Sequence, residues 1–112
     1  ERHVGNTGLY HIDWLHRRAE LWILIGDHEY QGRGIGVEVV ELMQQYAFTN
    51  LNLHKIYLNV GAENTRAIRL YSKTGFVQEG IQREHYFIEG KYIDVVLMSC
   101  LKGEYIHDHG QK

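Results

Sequence analysis

Three groups of residues in this 112-residue chain have the types and spacing to do chemistry. In EYQGRGIGVEVVELMQQYAF, Glu29 to Phe48, glycines stand at Gly32, Gly34 and Gly36 and stop where helical spacing begins. A strand that runs into a glycine-rich turn opening a helix aims main-chain N–H groups and the positive end of the helix dipole at an anion, and glycine permits its close approach. Spacing excludes two phosphate motifs. No Gly-x4-Gly-Lys-Ser/Thr run exists, and Val37 stands where G-x-G-x-x-G needs its last glycine after Gly32 and Gly34. The turn Gln31-Gly32-Arg33-Gly34-Ile35-Gly36 remains, as a phosphate cradle or as a simple tightening of the junction. In the second group, Asn64, Ala67 and Tyr71 stand at i, i+3 and i+7, so an amide and a phenol share one helix face with a small residue between them. The third is Glu20, an acid inside the apolar stretch AELWILI, where burial demands a partner or a purpose.

The elements that must position these groups are readable from periodicity. HVGNTGLYHID, with Leu9 and Ile12 among polar neighbours, reads weakly as a strand, and Ala19–Ile25 reads as a buried one, so the two form a hairpin. From Val37 to about Phe48, Val39, Leu42, Met43, Tyr46 and Ala47 recur at offsets of three and four, which predicts an amphipathic helix. KIYLNV alternates, with Ile56, Leu58 and Val60 on one face and Tyr57 and Asn59 on the other. A second helix runs from Asn64, as N-cap, to about Thr74, with Gly75 just past its end. The segment from Gly75 to Cys100 holds two or three strands with Glu89-Gly90 as a tight turn. The order β-β-α-β-α-β-β predicts a mixed sheet with helices packed on it.

Composition narrows the classes of function. With 44% hydrophobic and 23% charged residues, the chain is globular, and its length predicts one domain over residues 1–112 with a polar tail from about 106. A formal net charge of -2 gives no basic footprint for nucleic acid and leaves room for a cationic substrate. The one cysteine, Cys100, excludes an internal disulfide framework and fits a cytoplasmic location. No apolar run reaches about 18 residues, so no membrane span is expected. The eight histidines are scattered rather than spaced to converge, and no metal site is expected.

The loop Gln31–Gly36 resembles the Q/R-x-x-G-x-G/A pyrophosphate loop of the GNAT N-acetyltransferase superfamily. ENTRAIRLYSKTGF, Glu63 to Phe76, resembles that superfamily's N-x-x-A-x-x-L-Y-x-K-x-G-F signature, in the right order and after a strand. The likeness runs from about Val4 to about Tyr105. RRAELWI, NLHKIYL and FIEGKYIDVVLM look most like the branch holding spermidine, ribosomal-protein N-terminal and amino-sugar acetyltransferases.

The resemblance implies an α/β (α+β) fold with a mostly antiparallel sheet, and acetyl-CoA as co-substrate without a metal. It implies transfer of acetyl to a primary amine, by direct attack in a ternary complex, with a polyamine, a protein N-terminus or an amino sugar as acceptor. Cofactor contacts then fall to Ile23, Leu24 and Ile25 through their backbone, to Gln31, Gly32, Arg33, Gly34, Ile35 and Gly36, and to Asn64, Ala67, Tyr71 and Lys73. Tyr71 matches the tyrosine that serves as general acid toward sulfur; its alternative is a core aromatic. Glu20 is the candidate base, acting through water, against an ion pair with Arg17 or Arg18. Arg33 and Lys73 are divided between cofactor contact and solvated charge. Glu79, Glu84 and Glu89 are divided between attracting a polyamine and forming a solvated face. Members of the superfamily begin with a further strand and helix pair that roof the acceptor site, whereas this chain starts inside what resembles the second strand. That departure raises an alternative, an acetyl-CoA-binding module without turnover. It also predicts an unpaired edge near Leu9–Ile12 and self-association, as a homodimer or by edge pairing.

Overall fold

The computed structural model describes residues 6–24 and 35–109. Its elements, in chain order, are β1 (Asn6–Asp13), β2 (Arg18–Leu24), α1 (Ile35–Gln45), β3 (Lys55–Gly61), α2 (Thr65–Lys73), β4 (Val77–Ile88), β5 (Lys91–Leu101) and α3 (Lys102–His109). The strands form one five-stranded sheet in the order β1-β2-β3-β5-β4. Only β2 and β3 run parallel; the other neighbours are antiparallel. The mixed, mostly antiparallel sheet is the expected one, and both hairpins are present.

Alternation along β3 decides which face is covered. Ile56, Leu58 and Val60 are buried and their neighbours are not. These three join Ala19, Leu21, Val96, Met98 and Cys100 in a core that α1 closes with Val40, the segment just after it with Ala47 and Phe48, and α2 with Tyr71. Along α1 and the turn that follows it the inward stripe is Val40, Gln44, Ala47 and Phe48, rotated from the one that apolar periodicity predicts; Leu42 and Tyr46 are exposed. The reason is a buried amide. Gln44 Nε2 donates to the Thr74 carbonyl at 2.6 Å and to Cys100 Sγ at 3.5 Å, tying α1 to the end of α2 and to the sheet.

The first helix does not run regularly to Phe48. At Tyr46–Asn50 it widens into a π turn, closed by an i to i+5 bond from Leu51 N–H to the Tyr46 carbonyl at 3.0 Å. The turn of β4 and β5 falls at Glu89-Gly90, both at positive φ, which suits the twist of a two-residue hairpin. Past β5 the chain forms α3, helical as far as His109.

Candidate functional site

Strands β2 and β3 pair in parallel at only three positions, Arg18 with Lys55, Ala19 with Ile56 and Glu20 with Tyr57. Beyond that point β2 continues to Leu24 paired with β1 alone, and β3 continues to Gly61 paired with β5 alone. A wedge therefore opens inside the sheet, and the β2 main chain from Leu21 to Leu24 has an edge facing it. A cleft of about 100 Å³ occupies the opening. Leu21, Ile23, Leu58 and Tyr71 line it from the side of the helices, and Glu20, Trp22, Asn59 and Tyr86 complete it.

Tyr71 reaches the cleft because α2 is registered by its ends. Asn64 Oδ1 accepts from the Ala67 N–H at 3.1 Å, the N-cap that the sequence predicts. At the other end the Gly75 N–H donates to the Ser72 carbonyl and the Phe76 N–H to the Tyr71 carbonyl, with Gly75 at φ 103°. Between them Tyr71 is 9% exposed and packs edge-on against Phe76, ring centroids 5.7 Å apart. Burial raises its phenol pKa above the ordinary value, so it stays a proton donor at neutral pH.

Glu20 lies across the cleft with a side chain 13% exposed. His11 Nδ1 is 2.9 Å from its Oε1, and Asn59 Nδ2 donates to its Oε2 at 3.5 Å. The expected arginine partners are elsewhere. Arg17 donates to the Asn52 carbonyl at 3.0 Å, and Arg18 Nη2 lies 3.5 Å from Asp13. His11 gains its place from an irregularity in β1 between Tyr10 and Asp13, where it adopts φ 54°. Tyr86, on β4, has its pKa raised first by burial and then by the negative charge of Glu20.

The sequence-derived site is thus partly assembled. Ile23, Tyr71 and Glu20 line one cleft; Leu24 ends β2 beside it; Ile35 and Gly36 open α1. Ala67 packs against the core one turn before Tyr71. Asn64 commits its carbonyl oxygen to the cap, which leaves Nδ2 as that side chain's donor. Lys73, two residues past Tyr71, is exposed in the last turn, where a cation suits the dipole. Ile25, Gln31, Gly32, Arg33 and Gly34 lie outside the described residues. Among the acids, Glu79 is engaged by the Ser99 hydroxyl and by Lys55 at 3.1 Å, and Glu89 sits in the hairpin turn. His11, Asn59, Trp22 and Tyr86 were not singled out from sequence. Asn59 alone carried a signal, as a polar residue opposite the apolar face of its strand. Among the described residues no three His, Cys, Asp or Glu side chains converge to hold a metal ion, and no helix is long and apolar enough to cross a membrane.

Residues 1–77 match the family described as the acetyltransferase (GNAT) domain. The chain belongs to the GNAT family. Among curated GNAT relatives, the spermidine N(1)-acetyltransferase of Vibrio cholerae is 43% identical over 104 residues, covering 93% of this chain and 60% of the relative. The chain thus spans well under two thirds of that protein's length. The crystal structure of spermidine N-acetyltransferase from Vibrio cholerae in complex with CoA and spermine superposes with a TM-score of 0.86 at 44% identity, over 92% of this chain and 60% of the other. A dodecameric structure of the Vibrio cholerae enzyme in an intermediate state gives 0.87 at 43% identity, over 94% and 61%.

Proposed function

We propose that this chain is the cofactor-holding and catalytic part of an acetyl-CoA-dependent N-acetyltransferase acting on the primary amine of a polyamine. The observation that carries the reading is the parting of β2 from β3 beyond Glu20, with Tyr71 on one side of the gap and Glu20 on the other. The gap fits the cofactor: the β2 main chain from Leu21 to Leu24 can pair with a pantetheine arm as with an added strand. Acetyl-CoA, when bound, supplies a thioester whose carbonyl carbon accepts the amine nitrogen. Small Ala67 leaves space beside α2, and the first main-chain N–H groups of α1, from Ile35, suit a diphosphate.

The chain's own groups then act in order. Glu20 receives the proton that the acceptor ammonium must lose before its nitrogen carries a lone pair. A main-chain N–H on the β2 edge donates to the carbonyl oxygen as negative charge develops there. Tyr71 donates its phenolic proton to the departing thiolate, and the second proton, shed by the acylated nitrogen, restores the phenol. A thiolate whose conjugate acid has an ordinary pKa of ~8.5 is a weaker base than a phenolate whose conjugate acid lies at ~10, so the transfer is slightly uphill in water, and the hydrogen bond itself supplies part of the stabilisation.

The polyamine is favoured because the relatives compared above are named for spermidine and one was crystallised with spermine. The alternative reading is binding of acetyl-CoA without turnover. A thiol-release assay with acetyl-CoA against spermidine, an amino sugar and an N-terminal peptide separates the readings. Turnover with spermidine is expected; calorimetric uptake of acetyl-CoA without thiol release from any acceptor contradicts the enzyme. Self-association belongs to the same reading, since a related enzyme has a dodecameric form.

A further inference from the structure

Asn59 has an atom that the fold leaves unsatisfied at the place where chemistry is expected. An ionised carboxylate can only accept hydrogen bonds, so Glu20 requires the Nδ2 end of the Asn59 amide to face its Oε2, as it does at 3.5 Å. That fixes the other end. Asn59 Oδ1 is shut off from solvent and has no hydrogen-bond partner among the described residues. Its side chain lines the cleft between Glu20 and Tyr71. Buried carbonyl oxygens are rarely left unpaired, and the missing partner here must be a donor.

We propose that Asn59 Oδ1 accepts an N–H of the attacking amine, making Asn59 a substrate-binding residue that selects nitrogen over oxygen acceptors; this rests on the acetyl-transfer reading above. A primary ammonium brings three N–H bonds. One proton leaves to Glu20, and the nitrogen then has a lone pair and two N–H bonds. The N–H on Asn59 holds the lone pair in a fixed direction across the gap toward the Tyr71 side. An alcohol of the same shape has one hydrogen. Once that hydrogen goes to the base, nothing remains to satisfy Asn59 Oδ1, and a site built around a hydrogen bond rejects the partner that lacks it. His11, 2.9 Å from the second Glu20 oxygen, holds the carboxylate from the other side, so the amide and the carboxylate present one prearranged pair of acceptors.

The test is a titration of the full chain followed through the side-chain amide resonances of Asn59. Coenzyme A is added to saturation first, then spermidine. The Asn59 resonances are expected to move with spermidine, and Asn59→Leu is expected to weaken spermidine binding by about tenfold while coenzyme A affinity stays unchanged. Asn59→Gln keeps both ends of the amide and is expected to retain more of the spermidine affinity than Asn59→Leu, which separates loss of the acceptor from loss of packing. Resonances that move fully with coenzyme A alone, or an Asn59→Leu variant that binds spermidine as the wild type does, overturn the proposal. If spermidine fails to bind while coenzyme A does, Asn59 recognition falls and the cofactor site stands. If neither binds, the acetyl-transfer reading falls with it.

Discussion

Tyr71 and Glu20 face each other across a parted sheet, and the surroundings of each bear on the role proposed for it. Because burial raises the Tyr71 pKa, its acid form persists past the ordinary tyrosine value, so an activity that needs it should show no alkaline decline from this group below pH ~10. Tyr71→Phe should lower kcat by about 100-fold, in the range of a lost general acid, with acetyl-CoA affinity unchanged. Steady-state kinetics paired with calorimetry checks both halves. On β5, Ser99 is buried and donates to Glu79, and this bond, with Lys55 behind it, lowers the Glu79 pKa. Ser99→Ala should cost about 1 kcal/mol in urea unfolding. Because the folded-state pKa is lowered, the carboxylate's contribution is present above the ordinary value of 4.5 and lost as pH falls through the folded one, so the deficit should shrink in acid. Tyr71 was legible through its motif, and Glu20 as an acid in an apolar strand. The partners of Glu20 were not. Arg17 and Arg18 are near in sequence, whereas His11 and Asn59 arrive through strand register and a bulge that no local pattern announces.

Among the elements, α2 was the most legible because its signals are local: an N-cap asparagine, a small residue on the working face and a glycine after the last turn. Asn64→Ala should destabilise the fold by about 1 kcal/mol, measured by denaturant unfolding, because the Ala67 N–H loses its acceptor. Ala67→Leu adds bulk on the face that carries Tyr71; acetyl-CoA affinity should fall by about tenfold, with a thermal midpoint near that of the wild type. Two features could not be read locally. The inward stripe of α1 is anchored by Gln44, and a buried glutamine whose amide answers a helix-end carbonyl looks in sequence like a solvent position. The parting of β2 from β3 is invisible as well, because β2 alternates identically on both sides of Glu20 and only the register shows where pairing stops.

At the scale of the whole molecule, β1 and β4 flank the sheet among the described residues. On β1 the register against β2 breaks between Tyr10 and Asp13. Strand β4, twelve residues long, is exposed over nearly its whole length, with Val77, Ile81, Phe87 and Ile88 open to solvent and Tyr92 beside Phe87 at 4.8 Å. Apolar residues concentrated on one hairpin favour a contact between copies. Sedimentation velocity at tens of micromolar should therefore give a species heavier than the 13.1 kDa chain, and Phe87→Glu should shift it toward monomer. Sequence placed the mixed sheet and its helices correctly, since alternation and capping act within a few residues. Which strands end as neighbours depends on contacts far apart in the chain.

Hydrogen exchange of the folded chain with and without acetyl-CoA tests the central claim most directly, because the claim concerns one main-chain edge. Bound acetyl-CoA should slow exchange in β2 from Leu21 to Leu24 and at the opening of α1, and leave β4 unchanged. A folded chain whose β2 amides exchange at the same rate under saturating acetyl-CoA, or whose protection falls only on β4 and β5, contradicts it.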